Sequence, residues 1–423
     1  MLTVNYIREN KKDVIERLAV RQFDASQILD DVILKDDIRK KTQSELDETL
    51  AQSNQLAKMI GGFYKSGEAA KAEEAKKETA QLKIKSKELS DLLSSCTKEL
   101  NELLFLIPNL PHHSVPKGKT PEDNQQISQE NEFPELGEHA LPHWDLAAKY
   151  DLIDFELGNK ITGAGFPVYK GKGAKLQRAL INYFLDKNTE VGYKEVQVPH
   201  LVNQDSGFGT GQLPDKEGQM YYVNEDDLYL IPTAEVPITN IFRNEIVKES
   251  DFPIKYTGYT PCFRREAGSY GKDVRGLNRL HQFDKVEIVQ VENPEKSYQT
   301  LDEMVAHVTH LLRELELPFR VLKLCGGDMS FTSALTFDME VYSGAQERWL
   351  EVSSVSNFES YQANRLKLRY KDKDQKNQLC HTLNGSALAL PRIVACILEN
   401  NQHQNGIKIP KVLIPYTGFD EIN

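Results

Sequence analysis

The sequence predicts an α+β protein, with an N-terminal antiparallel coiled-coil arm followed by a mainly antiparallel β-sheet flanked by helices. Three observations carry this. Residues 28–107 are poor in Pro, almost free of aromatics and patterned in heptads. Pro108, Pro111, Pro116 and Pro121 then end the helical region and open a polar stretch. From about His139, strand-like alternations mix with helical segments without regular βαβ order. The chain has 423 residues, enough for two or three domains.

The clearest heptad runs Leu82, Ser86, Leu89, Leu93, Cys96, Leu100, Leu103, Ile107, whose alternating steps of four and three form one helical seam. Ile38, Thr42, Leu46, Leu50, Ala57 and Ile60 offer a matching face upstream, and GGFYKSG, Gly61 to Gly67, reads as the turn between two helices. Two such arms at 1.5 Å per residue would each reach about 50–60 Å. With 13 Lys/Arg against 15 Asp/Glu from Ile28 to Ile107, the hairpin is nearly neutral. Composition alone fits an oligomerisation coil and a binding arm equally. The expected layout is a helical arm at 1–110, a linker at 111–138 and a second domain at 139–423. In that domain strands are expected at Glu195–Val198, Leu228–Ile231, Asp284–Gln290, Pro318–Leu324 and Trp349–Val355. Helices are expected at Gly173–Thr189, Pro294–Glu316 and Pro391–Asn400.

Bulk properties exclude several classes. No run of about 18 apolar residues occurs and the N-terminus lacks an apolar signal core, which argues against a membrane protein. Cys96, Cys262, Cys325, Cys380 and Cys396 are scattered, with no C-x-x-C pair, as expected of a reducing cytoplasm without disulfides or zinc. A net charge of −11 is the wrong sign for nucleic-acid binding by bulk electrostatics, although a local patch can still hold RNA. Gly163–Pro167, Gly171–Lys175 and Gly209–Pro214 contain G-x-G fragments but match neither a P-loop nor a dinucleotide fingerprint. A nucleotide, if bound, must be held by side chains.

The stretch Cys262 to Glu287, CFRREAGSYGKDVRGLNRLHQFDKVE, supplies them. It reads as strand, Gly- and Ser-bearing loop, strand, with six Lys/Arg in an acidic chain. Arginines fixed on a strand suit a polyphosphate, because the guanidinium presents paired donors and a permanent charge. Phe283 on the return strand can stack a base. Downstream, Thr382-Leu383-Asn384-Gly385 reads as a turn before a short strand and a helix near Pro391, with Arg392 in its first turn.

The full Cys262–Glu287 string resembles motif 2 of the class II aminoacyl-tRNA synthetases, and of seryl-tRNA synthetases in particular. Ser386–Asn400 is similar to motif 3, and Gly192–Pro199 after the preceding helix is similar to motif 1, the family's dimer interface. Val202–Asp215 is similar to the family's mobile loop. The resemblance implies a class II core and an ATP site of Arg264, Arg265, Glu266, Arg279, Leu280, Phe283, Glu351, Val352, Ser353, Ser354 and Arg392. In it Arg264 would contact the α-phosphate and the serine carboxylate, Glu266 the adenine edge, and Phe283 and Arg392 the two adenine faces. Arg264, Glu266 and Arg392 would be the catalytic set. A serine site would comprise Thr233, Ala234, Glu235, Arg264, Glu287, Asn384 and Ser386, with Glu287 on the amino group and hydroxyl. Glu351 and Ser354 would hold Mg²⁺, a cation that prefers hard oxygen ligands. Ala387 and Pro391 stand where the family commonly has glycines; Pro is tolerated at the start of a helix but stiffens the approach to Arg392.

The implied reaction joins L-serine to ATP as seryl-adenylate, then passes it to the 3′-hydroxyl of the serine tRNA. The implied assembly is a cytoplasmic homodimer whose arm grips the long variable arm of that tRNA by shape. Whether a selenocysteine tRNA is also charged stays open. Class II enzymes for threonine, proline, histidine or glycine usually add a C-terminal anticodon-binding domain, whereas about 30 residues follow Arg392. A carrier-protein ligase would lack the complete arm, and a non-catalytic coiled-coil protein would not need Arg264, Glu266, Glu287, Glu351 and Arg392 together.

Overall fold

The computed structural model describes residues 1–138, 140–215, 218–266 and 275–423. Residues 267–274 of the expected loop after Glu266 lie outside the described residues. The chain forms two compact units, one of Met1–Ala19 with Phe23–Pro108, the other of Val20–Gln22 with Asn109–Asn423.

In the first unit, short helices Val4–Glu9 and Lys11–Val20 precede two long antiparallel ones, Ser26–Lys65 and Ala69–Phe105. The second long helix buries Ala72, Ala75, Thr79, Leu89, Cys96, Leu100 and Leu104, with Leu82, Ser86 and Leu93 half-buried on the same seam. On the first, Thr42 and Leu46 are buried as expected, but Ile38 and Leu50 are 38% and 44% exposed, and Ala57 is exposed. The true seam passes through Asp36, Thr42, Leu46, Thr49 and Ser53. Heptad geometry there outweighs hydrophobicity: polar residues on the stripe are buried and apolar residues off it are not. Asp36 tolerates this position because Arg8, Arg39 and Lys40 reach it at 3.2, 2.8 and 2.9 Å. Burial alone would raise its pKa, but these hydrogen bonds hold it below the ordinary carboxylate value.

The paired glycines are not the turn. Gly61 and Gly62 lie inside the first long helix, and the chain reverses at Ser66–Glu68, with Gly67 left-handed at φ +76°. The tip is braced across the reversal by Tyr64, whose hydroxyl donates to Glu73 at 2.6 Å and whose ring centroid lies 4.9 Å from Lys76 Nζ, while Lys76 meets Glu73 at 2.8 Å within the second helix.

The second unit is built on an eight-stranded sheet: β1 (Gln125–Glu130), β2 (Lys194–Glu195), β3 (Ile254–Phe263), β4 (Gln282–Glu292), β5 (Phe319–Lys323), β6 (Leu335–Ser343), β7 (Arg348–Asn357) and β8 (His381–Ala389). Their spatial order is β1-β5-β6-β7-β8-β4-β3-β2, antiparallel throughout except for β2 beside β3. Helices Gly171–Glu190, Ser297–Glu314 and Leu390–Asn400 share one core with the sheet, around Tyr183, Phe184, Val308, Leu312, Val286, Ile288 and Ile393. Val286 and Ile288 point into that core, so the alternation of β4 sends Phe283, Lys285 and Glu287 to the other face.

Three expectations change here. The stretch taken as a linker supplies β1, whose polar sequence QQISQE suits a largely exposed edge strand. Thr382–Gly385 is strand, not turn: the Asn-Gly signal is overridden by pairing of β8 on both sides, where a Cβ on Gly385 would come within 2.9 Å of Val355. His307, expected on a solvated helix face with His310, is half-buried and bonded to Asn188 at 2.7 Å. His310 is exposed.

The helical placement of the paired glycines is directly testable. A Cβ at Gly61 or Gly62 would meet nothing within 4 Å, so the double change Gly61→Ala, Gly62→Ala should stabilise the arm tip by about 1–2 kcal/mol. Gly67→Ala should cost about 1 kcal/mol. Hydrogen exchange of residues 55–75 reads both, and slowed exchange in Gly67→Ala or accelerated exchange in the double variant would contradict this assignment.

Candidate active site

Strand pairing assembles the site. Against β3, Phe283 lies opposite Cys262, Lys285 opposite Thr260 and Glu287 opposite Gly258; against β8, Glu287 lies opposite Ser386 and Val289 opposite Asn384. Opposed residues of an antiparallel ladder share a face. One surface therefore carries Phe283, Lys285, Glu287, Asn384 and Ser386 in a compact array. The helix Glu235–Asn240 covers its β3 side, with Ala234 and Ile238 packed on Val289. Gly258 permits this closeness, since a Cβ there would lie 3.1 Å from Ile238 Cδ1 of that helix and 2.8 Å from the Val196 carbonyl oxygen.

One half of the surface is a buried charged cluster. Glu287, Lys285, Thr233 and Glu235 are 2, 6, 6 and 7% exposed. Lys285 Nζ donates to Glu287 Oε2 at 2.6 Å and to Thr233 Oγ1 at 3.0 Å, and Thr233 Oγ1 donates to the same Glu287 oxygen at 3.1 Å. Glu235 Oε1 accepts from Gln362 Nε2 at 2.6 Å, and Gln362 is oriented by Thr382 Oγ1, which donates to its Oε1 at 2.7 Å. Burial, and then the neighbouring Glu287 carboxylate, push Glu235 up to a pKa of about 7. Burial also raises Glu287, against the opposing pull of Lys285. The arrangement has ionised and hydrogen-bonding groups suited to a small zwitterion.

The other half has groups suited to a polyanion and a flat ring. The Arg264 guanidinium sits 5.2 Å from the Phe283 ring centroid, and its Nε donates to the Pro232 carbonyl at 3.3 Å. Arg265 is exposed, its N–H bonded to the Gln219 carbonyl at 2.8 Å. Glu266, left-handed at φ +48°, is held by Gln219 and pairs with Arg279 at 2.5 Å. On the motif 3 side, Arg392 lies in the first turn of Leu390–Asn400, donating to the Asn278 carbonyl at 3.1 Å and the Glu351 carbonyl at 2.6 Å. Pro391 falls within the first two helical positions, where its missing N–H costs no helix bond.

A β-bulge creates the third feature. Met339 pairs with Ser353 but Glu340 with Glu351, so Val352 is the extra residue. The slip brings Glu351 and Ser354, three apart, to the face shared by Asp338 and Glu340. Asp338 lies opposite Ser354, and its Oδ1 is buried without a hydrogen-bond partner. This hard-oxygen group fits Mg²⁺, which typically takes one or two carboxylates and completes its shell with water and substrate phosphates. No cluster of three or more His, Cys, Asp or Glu stands ready for a metal among the described residues.

The structure thus brings together Thr233, Glu235, Glu287, Asn384 and Ser386 in one array, Arg264, Glu266, Arg279 and Phe283 in another, and Arg392 with Glu351. Ala234, Leu280 and Val352 are buried in the core, and the Ser353 hydroxyl donates to the Ser386 carbonyl at 2.6 Å, so these four shape the site without presenting side-chain polar groups to it. Sequence reasoning missed Lys285, two residues before Glu287 and therefore on its face by strand period alone. It also missed Gln362, and a buried prop behind Arg392. There His143 Nδ1 contacts Glu399 at 2.7 Å while its Nε2 accepts from the Leu277 N–H at 2.8 Å, fixing the backbone beside Asn278. No local signal marks these long-range partners.

Comparison with known proteins agrees with this geometry. Residues 1–111 match a family model described as the seryl-tRNA synthetase N-terminal domain, and residues 220–401 match the tRNA synthetase class II core domain (G, H, P, S and T). The serine--tRNA ligase of Salinibacter ruber is 47% identical, over 100% of this chain and 99% of that protein. Among solved structures, seryl-tRNA synthetase from Pyrococcus horikoshii complexed with ATP is similar at a TM-score of 0.89 and 34% identity, covering 100% of this chain and 99% of that one. The cytoplasmic serine-tRNA ligase from Naegleria fowleri in complex with AMP gives 0.86 and 27%, with the same coverage. The chain belongs to the seryl-tRNA synthetases, the class II enzymes that ligate serine to tRNA.

Proposed function

We propose that the two halves of the surface divide the substrates, serine on the Glu287 cluster and ATP on the arginine side, so that the serine carboxylate meets the α-phosphate beside Arg264. The observation that carries this reading is the position of Arg264, which stands over Phe283 and also bonds the carbonyl of Pro232, the residue before Thr233. Adenine is sandwiched between Phe283 and the Arg392 guanidinium, with its edge read by Glu266. Arg279, which pairs with Glu266, and exposed Arg265 turn to the phosphate tail. Thr233, Glu235 and Glu287 hold the ammonium, and Glu287 with Ser386 and Asn384 holds the hydroxyl.

Catalysis on this reading is electrostatic. Carboxylate oxygen attacks the α-phosphorus, the bond to the bridging oxygen breaks, and pyrophosphate leaves; Arg264 and Arg392 meet the charge that spreads over the phosphoryl oxygens. Glu351 and Ser354 would hold Mg²⁺, with the partnerless Asp338 oxygen beside them, and the ion would screen the phosphates while bound. The 3′-hydroxyl of the tRNA then attacks the seryl carbonyl of the adenylate, the mixed anhydride bond breaks, and AMP leaves. A pocket that hydrogen-bonds a hydroxyl rejects alanine because its own buried polar groups would be left unpaired. Threonine must be excluded by the bulk of one methyl, which discriminates more weakly.

The arm at 1–110 is read as the tRNA-binding element and 139–423 as the catalytic domain, to whose sheet the stretch 111–138 contributes β1, with the enzyme acting as a cytoplasmic homodimer. Among the described residues no helix is long and apolar enough to cross a membrane, and the helix Gly171–Glu190 leads into β2 as the motif 1 resemblance expects.

Two measurements test this division of labour. Serine should support exchange of pyrophosphate into ATP without tRNA, and Arg264→Ala should reduce that exchange by at least 10³-fold, the scale of losing a transition-state contact of about 4 kcal/mol. Exchange with another amino acid in place of serine would refute the serine site. Deleting residues 42–98 and closing the gap with a short linker should leave exchange unchanged while charging of serine tRNA is lost; equal charging would remove the arm from tRNA recognition.

A further inference from the structure

Lys285 has no assigned part in binding or chemistry, yet it is the cation closest to the residue that defines the amino-acid site. It is 6% exposed, lies on the same face of β4 as Glu287, and places Nζ 2.6 Å from Glu287 Oε2 and 3.0 Å from Thr233 Oγ1. Those two oxygens are the ones read above as receptors of the serine ammonium. A lysine is rarely buried, and burial of both partners makes each depend on the other.

We propose that Lys285 is a positioning residue for serine recognition: as the built-in counter-cation of Glu287, it keeps that buried group a carboxylate and aims it, so that serine is met by an ionised acceptor. The inference rests on the serine reading of the site. Thr233 Oγ1 accepts from Lys285 and from the Glu235 N–H at 3.2 Å, which leaves its own proton for Glu287. Lys285 thereby fixes the hydroxyl rotor as well as the charge. Without it, a carboxyl group 2% exposed would take up a proton and become a donor toward an ammonium that can only donate.

The other groups facing Glu287 do not replace Lys285. Glu235, from the covering helix, is a second carboxylate that disfavours charge on Glu287. From β3, Cys262 is a buried thiol whose pKa burial raises, so it brings no cation. Arg264, just beyond β3, helps Glu287 but is turned toward Phe283 and Pro232. From β8, Ser386 and Asn384 are uncharged.

Lys285→Met, close in length and without charge, separates this role from mere packing. The sign follows from the carboxylate. Burial already raises Glu287, Lys285 opposes that rise, and its removal moves the Glu287 titration upward, so binding that needs the carboxylate fails as pH falls through the new value. The serine KM of Lys285→Met should therefore exceed the wild-type value by about tenfold or more at pH 7, and converge toward it near pH 9. The ATP KM should change less than about twofold at either pH. Adding Lys285→Met to Glu287→Gln should shift the serine pH profile by less than half of what Lys285→Met shifts it in the wild-type background, because no carboxylate remains at 287 to be held and only Glu235, which Lys285 also favours as a carboxylate, still responds. Binding of ATP alone, followed by fluorescence or calorimetry, identifies folded protein in every variant. A folded Lys285→Met enzyme with the wild-type pH profile overturns the proposal, as does a profile shift on the Glu287→Gln background as large as the one on the wild-type background. Failure of wild-type protein to exchange with serine at any pH would instead refute the underlying reading of the site.

Discussion

The pairing of β4 between β3 and β8 is the constraint on which the second unit depends. An antiparallel ladder has a period of two, so a single slip in register would turn every side chain of β4 to the wrong face. In the observed register Val286 and Ile288 enter the core while Phe283, Lys285 and Glu287 stand on the opposite surface. Glycines at 258 and 385 allow neighbouring chain to press close on either side, against Val196 and Val355. The same hydrophobic burial that stabilises the sheet thus fixes the spacing of the charged groups.

That surface carries charge where water is scarce, and its groups are arranged to compensate one another. Two buried carboxylates, Glu235 and Glu287, share Lys285, while Arg264 is steadied by Phe283 and a carbonyl. Arg279 and Glu266 neutralise each other, and Arg392 rests on backbone oxygens. A preformed arrangement of this kind lowers the reorganisation needed when substrates arrive. The bulge at Val352 serves the same end by a backbone device, aligning Glu351 and Ser354 without altering the ladder beyond them.

Much of this was legible in the order of residues. The heptads exposed the arm, and the string from Cys262 to Glu287 carried its chemistry in local form: arginines, an aromatic and a carboxylate at strand spacing. Other features were not, for reasons that are physical. Ile38 and Leu50 look like seam residues, yet the seam is set by pairing with the second helix and buries Asp36, Thr49 and Ser53 instead. Gly61-Gly62 resembles a turn, but a long helix with tertiary support absorbs the propensity loss and reverses at Gly67. Asn384-Gly385 loses its turn character between two partner strands. Gln362 and His143 act through residues far away in sequence, where no periodicity could point to them.

The central claim, that one strand face joins serine to ATP, is tested most directly by the crystal structure of the protein bound to a non-hydrolysable seryl-adenylate analogue. The account predicts adenine between Phe283 and Arg392, the linkage that replaces the α-phosphate on Arg264, and the ammonium within hydrogen-bonding distance of Glu287 and Thr233. An analogue bound with its amino group turned away from Glu287, or with its base away from Phe283, would contradict it.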